Sequence, residues 1–252
     1  MGSAKWSLLL ARINLGCIIF SCLGFAAQTF LHADPGIIAP IMSAVIMVSG
    51  AACIAISLRD WRAIVGVLVI GSGFELIGLF TGLPFGVYEY TKAWVPTIPV
   101  GSHQFPLLLP LAWLTIVGGC WLFARQFAEG WRLYAGTATL AALIDLPMER
   151  AMTEVFGYWK WLPPGPLFGA PFLNVIGWLV VGFLAALVLG RFDHEEPEIR
   201  PAFWILPAFC CFTAFCGLVT LPLDPAWPVL IAIAAFLHFL RPKYKNFHII
   251  GE

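Results

Sequence analysis

The sequence predicts an all-α, polytopic integral membrane protein of about eight transmembrane helices with two long aromatic outer loops. Three observations predict it. Hydrophobic residues make up 60% of the 252-residue chain and charged residues only 11%, against about 25% charged in a soluble domain whose surface must be wet. The mean hydropathy is +0.89. The apolar residues also gather into runs of roughly 18–25, the length that a hydrocarbon core about 30 Å thick requires. These properties exclude most soluble enzymes. With 14 basic residues against 14 acidic ones, no basic face is left over for nucleic acid.

The runs fall at 7–31, 36–58, 62–82, 105–125, 131–150, 170–190, 201–222 and 225–240, within one transmembrane domain, 1–252. Pro and Gly punctuate their ends, as in Asp34-Pro35-Gly36 and Asp224-Pro225. The first run is too long for a signal-peptide core and lacks a small-residue cleavage site, so it is read as a span. Eight spans put both termini on one side. Of the 14 Lys and Arg residues, 11 fall on that side; only Lys92, Arg150 and Lys160 fall on the other. The positive-inside rule then makes both termini cytoplasmic in a multi-pass cell-membrane protein. Trp94, Trp131, Trp159 and Trp161 are among the indoles near span ends, where interfacial anchors belong. The seven cysteines lie inside apolar runs without ligand spacing and are read as small packing residues. The acidic run Asp193, Glu195, Glu196 and Glu198 is read as a solvated loop.

Two outer loops, 83–104 and 151–169, are long and rich in Phe, Tyr, Trp, Gly and Pro. Such a composition predicts folding back onto the membrane as lids or re-entrant segments, not disorder. The chain around them also repeats. Glu75 and Asp145 each interrupt an apolar helix, and Tyr88 and Tyr158 follow them by 13 positions. The next helix then runs from Pro106 to Trp113 in one copy and from Pro171 to Trp178 in the other, a spacing of seven in both. Both copies start inside and end outside, as parallel repeats about the membrane normal do.

A carboxylate within a membrane helix costs roughly 2.5–3.5 kcal/mol, so such residues are rare and usually functional. Glu75 and Asp145 are therefore the leading candidates, with Glu89, His103, Glu149, Glu154 and Asn174 at the same outer level. Asp145 and Glu149 stand at i and i+4 and share a helix face. Two like charges there cannot both ionise cheaply. That is how a carboxylic acid stays protonated near neutral pH and serves as a general acid. The structural alternative is an acid that merely hydrogen-bonds a neighbouring helix. Arg150 and Glu154 fit an ion pair as well as they fit a catalytic role, and His103 fits a cap on the fourth span. Gly71, Gly73, Gly78, Gly82 and Gly86 are read as allowing close helix packing, since no GxxxxGK[ST] phosphate loop occurs.

These same residues carry a resemblance. Phe74-Glu75-Leu-Ile-Gly78-Leu-Phe-Thr81-Gly82-Leu-Pro84-Phe85-Gly86-Val-Tyr88-Glu89-Tyr90 resembles the signature of the carotenoid biosynthesis membrane-protein family. That family takes in carotenoid 1,2-hydratases of the CruF type and bisanhydrobacterioruberin hydratase. The segment from Asp145-Leu-Pro-Met148-Glu149 to Gly157-Tyr158-Trp159-Lys-Trp161 is similar to its Asp-rich block with a Gly-aromatic-Trp ending. Gly169-Ala-Pro171-Phe-Leu-Asn174-Val-Ile-Gly177-Trp178 is similar to its Gly-x-Pro…Asn…Gly-Trp helix start. The resemblance covers about 62–190. One departure is that Glu149-Arg150 stands where the family pattern leads one to expect Asp-Pro.

The resemblance implies a cofactor-independent hydratase, without a metal site, that adds water to the terminal 1,2 double bond of an acyclic, ψ-ended carotenoid. Its partners would be a lycopene-like or longer carotenoid in the bilayer, water, and other membrane enzymes of carotenoid synthesis. The residue types suit the chemistry. Protonating a trisubstituted alkene needs a dry general acid, for which Asp145 is the candidate, with Glu75 shaping its acidity or orienting water, or the two reversed. Glu149 and Glu89 are further carboxyl candidates. Tyr88, Tyr90, Tyr158, Trp159 and Trp161 offer π faces to a tertiary cation, although aromatic residues at an interface also serve as anchors. Asn174 and His103 complete the candidate substrate site. One rival reading is a UbiA-like prenyltransferase, for which Asp145-x-x-x-Glu149 supplies half of an Asp-rich pair. Another is a proton-coupled transporter or lipid-binding membrane protein, and a third is a non-catalytic assembly factor.

Overall fold

The structure, a computed structural model, describes residues 2–167, 169–192 and 199–220. Helices form along the apolar runs: α1 Gly2–Leu31, α2 Ile38–Leu58, α3 Trp61–Thr81 and α7 Phe172–Phe192. These four are long and apolar enough to cross a membrane; 21 residues at 1.5 Å rise span about 32 Å. Local chemistry sets the bounds of α3. Asp60 accepts the Arg62 backbone N–H at 2.8 Å and pairs with the Arg62 guanidinium at 2.7 Å. At the other end Gly82, at φ +73°, closes the helix with its N–H on the Gly78 carbonyl, a conformation that favours glycine.

The remaining predicted spans differ from expectation. The run 105–125 yields its first residues to a strand, and its helix starts only at Leu109, with Pro110 in the first turn, where a missing N–H costs nothing. It proceeds as α4 Leu109–Trp113, a π-helical turn Leu114–Gly118 and α5 Gly119–Ala124, a shorter apolar helical stretch. The run 131–150 is α6 Trp131–Arg150, long enough, but Arg132, Asp145, Glu149 and Arg150 keep it outside the apolar class. A second π-helical turn, Ala151–Val155, continues it. The run 201–222 becomes a short α8 Ile199–Ala202 and α9 Ile205–Thr220. The eighth run, 225–240, and the acidic loop 193–198 lie outside the described residues. Among the described residues, four helices are thus long and apolar enough to cross a membrane.

The segments predicted as aromatic loops contain short strands. β1 Tyr88–Tyr90 pairs antiparallel with β4 Trp159–Trp161, with Tyr88 opposite Trp161 and Tyr90 opposite Trp159. The two-residue period of a strand turns these four rings to one buried face and sends Glu89 and Lys160 outward together. β2 Thr97–Val100 and β3 His103–Pro106 form a hairpin turned at Gly101.

Glycine lets the helices close around this pair of strands. A Cβ at Gly71 would enter the Trp113 indole, and one at Gly78 would lie 2.8 Å from the Tyr88 hydroxyl. Gly73, by contrast, faces open space. α3 and α6 both pack on α7. α3 brings Glu75, and α6 brings Glu149, to the ring-lined strand pair.

Candidate active site

Glu75 sits two turns before the end of α3, Asp145 and Glu149 on one face of α6, and Asn174 in the first turn of α7. All four are buried, at 7%, 1%, 2% and 2% exposure, and all line a single cavity of about 530 Å³. The strands dictate which donors reach which acid. Tyr88 and Tyr90 project from β1 and give their hydroxyls to Glu75 Oε2 at 2.6 and 2.9 Å, while Trp113 Nε1 donates to Glu75 Oε1 at 3.1 Å. Trp159 and Trp161 project from β4 and give their indole N–H groups to Glu149 Oε2 at 3.1 and 2.8 Å. Asn174 Nδ2 bridges the two acids of α6, donating to Asp145 Oδ2 at 2.6 Å and Glu149 Oε1 at 3.0 Å.

Asp145 is served differently. Its Oδ2 has the Asn174 bond, and its Oδ1 is buried with no hydrogen-bond partner among the described residues. The Trp178 side chain also interacts with this carboxyl. No Lys, Arg or His belongs to the described cavity wall, and Arg150 pairs outward with Glu154 at 3.2 Å. Although the three carboxyls share a cavity, no three Asp, Glu, His or Cys side chains among the described residues are grouped to hold one metal ion. Outside the helices, burial and the neighbouring Glu75 push the Tyr88 and Tyr90 phenols upward, so both act as donors.

Most of the rest of the wall is apolar or aromatic, drawn from α1, α2, α4 and α9 as well as the strands. Tyr158 lines it but donates to Ser43 Oγ at 3.4 Å, not to Asp145. Two of the residues expected at the site lie elsewhere. Glu89 is exposed on the outward side of β1. His103 begins β3 and meets the Phe80 ring edge-on at 5.1 Å.

Residues 36–239 match the carotenoid biosynthesis protein family. The chain belongs to that family. It is also 29% identical over 148 residues to bisanhydrobacterioruberin hydratase of Haloarcula japonica, a match covering 56% of this chain and 48% of that protein. The chain thus spans about half the length of that curated relative. No solved structure matches it.

Three further indoles of this carotenoid biosynthesis protein enter the site that the sequence does not assign to it. Trp113 holds Glu75, and Trp178 stacks on Trp113 with centroids 4.3 Å apart. The seven-residue spacing after Pro106 and Pro171 marks both as equivalent positions, without assigning them to the site. Trp94 is 6% exposed, lines the cavity, and keeps its Nε1 without a partner among the described residues. A tryptophan near a span end is too common to mark it in advance.

Proposed function

We propose that the protein is a carotenoid hydratase that adds water across the terminal 1,2 double bond of an acyclic, ψ-ended carotenoid to give a tertiary alcohol. The contrast among the three carboxyls carries this reading. Glu75 and Glu149 each accept three side-chain hydrogen bonds, whereas Asp145 accepts one and keeps a bare oxygen. Donors favour the ionised form of the acid they serve. A third charge in a cavity without a basic side chain on its described wall has nothing to offset it. Asp145 is then the neutral acid, and its unpartnered Oδ1 is where a transferable proton belongs.

In the proposed reaction Asp145 protonates C2 of the terminal alkene, leaving a tertiary cation at C1. The rings of Tyr88, Trp161 and Trp178 on the cavity wall present π faces to that charge, each worth about 0.5–2 kcal/mol. Water bonds to C1, its oxygen steadied by the free Trp94 N–H. The proton it sheds restores Asp145, either directly or by way of Glu149, with which Asp145 shares Asn174. Alkene plus water equals alcohol, so the balance calls for no oxidant or reductant. Family membership and the hydratase name of the relative support the reading. The bias of Lys and Arg supports cytoplasmic termini and a reaction near the outer leaflet. Expression in a lycopene-making host tests it. A pigment heavier by one or two waters is expected, and unchanged pigment would overturn it.

A further inference from the structure

We infer that the cavity takes one end of the carotenoid at a time, while the rest of the polyene stays in the bilayer through a lateral opening between α1 and α2. The inference rests on the hydratase reading and follows from the size and the lining of the cavity. A six-carbon benzene fills a dry protein cavity of roughly 150 Å³. On that scale a cavity of about 530 Å³ holds on the order of twenty carbons, about half of a carotenoid. The remaining half must lie outside.

The wall shows where. Around the carboxyls it is buried, but Phe20, Gly24 and Gln28 of α1 and Ile38 and Ala39 of α2 line the cavity while also lying exposed on the outside of the molecule. Positions 20, 24 and 28 are four apart and form one stripe along α1. α1 and α2 are both long and apolar enough to cross a membrane, so an opening between them meets hydrocarbon. A Cβ on Gly24 would find no atom within 4 Å, so open space lies beside this stripe.

Recognition is therefore confined to the half of the polyene that carries the reacting end. Extra length at the far end lies in lipid and is tolerated. A carotenoid with two acyclic ends must leave and rebind between hydrations, so the singly hydrated pigment accumulates first.

The test compares the full-length chain with its Gly24→Trp and Ala39→Trp variants in lipid vesicles. Each is given an acyclic carotenoid and, separately, an acyclic isoprenoid hydrocarbon of about fifteen carbons with the same end, which fits within the cavity. The wild type is expected to hydrate both. The variants should lose about tenfold or more on the carotenoid and clearly less, by about fivefold, on the short substrate. Equal loss on both substrates, or loss on neither, overturns the lateral opening and leaves the hydratase reading standing. A wild type that hydrates neither overturns both.

Discussion

Trp113 stacks on Trp178 with ring centroids 4.3 Å apart and planes 21° from parallel. The pair joins the two halves of the site, because Trp113 Nε1 holds Glu75 while Trp178 contacts Asp145. Trp113→Phe would keep much of the stacking area and remove one of the three donors on Glu75. We expect hydration to fall about tenfold, with a loss of stability near 1–2 kcal/mol. Pigment turnover and thermal unfolding in detergent measure the two effects. An unchanged rate would separate Glu75 from the reaction.

Asp145→Asn removes the proposed proton while leaving an amide of nearly the same shape beside Asn174. A general acid contributes about 10²–10⁴-fold, so hydration should drop by that range with the fold retained. Glu75→Gln and Glu149→Gln should fall less, since in the proposed mechanism each acid only supports the proton donor. Full activity in both Asp145→Asn and Glu75→Gln would eliminate this site.

The phenols of Tyr88 and Tyr90 make a pH-dependent contribution to stability. Burial and Glu75 raise both in the folded state, whereas an unfolded tyrosine ionises near pH 10. A raised group stabilises fully below the unfolded value and loses that contribution as pH climbs past it toward the folded one. Stability should therefore decline above about pH 10. The Tyr88→Phe/Tyr90→Phe double variant should show a shallower decline in unfolding experiments run across that range. Identical slopes would contradict the assignment.

The acids were legible in the sequence for a physical reason. A carboxyl within an apolar helix has a cost that marks it, and the i, i+4 spacing of Asp145 and Glu149 fixes a common face. Asn174, Tyr88, Tyr90, Trp159 and Trp161 join them on the cavity wall. What stayed hidden depends on pairing between distant segments. Three residues of strand carry too short a period to distinguish from a loop, so the β1–β4 ladder was not foreseeable. That ladder turns Glu89 outward and gives the β4 donors to Glu149 instead of Asp145. Spacing alone made Tyr158 the counterpart of Tyr88, yet its hydroxyl reaches Ser43. The helix after β3 starts late because residues 103–106 are engaged in a hairpin. Hydropathy cannot register that pairing.

Gly71 shows how closely the site is packed. A Cβ there would collide with the Trp113 indole, and overfilling a packed core costs about 1–3 kcal/mol. Gly71→Ala should lower the unfolding temperature and, by displacing Trp113 from Glu75, also reduce hydration. Gly73→Ala one face away meets no atom within 4 Å and should leave both unchanged. Equal behaviour of the two variants would refute the packing account.

Trp94 offers a way to separate the proposed protonation from the proposed water capture. Its Nε1 is buried at the cavity without an acceptor, and its ring lies 6.2 Å from Tyr90 and 6.1 Å from Trp159 between centroids. Those two neighbours direct their own donors to Glu75 and Glu149, so an oxygen bound by Trp94 would stand beside the carboxyl group cluster. Trp94→Phe keeps the ring contact and removes the N–H. The alkene should still be protonated, but the cation, lacking its positioned water, should more often return a proton than form alcohol. In D2O the variant should place deuterium into recovered carotenoid, with the ratio of exchange to hydration raised about tenfold, the worth of one hydrogen bond. If exchange and hydration fall together by the same factor, Trp94 holds the cavity in shape and does not hold the water.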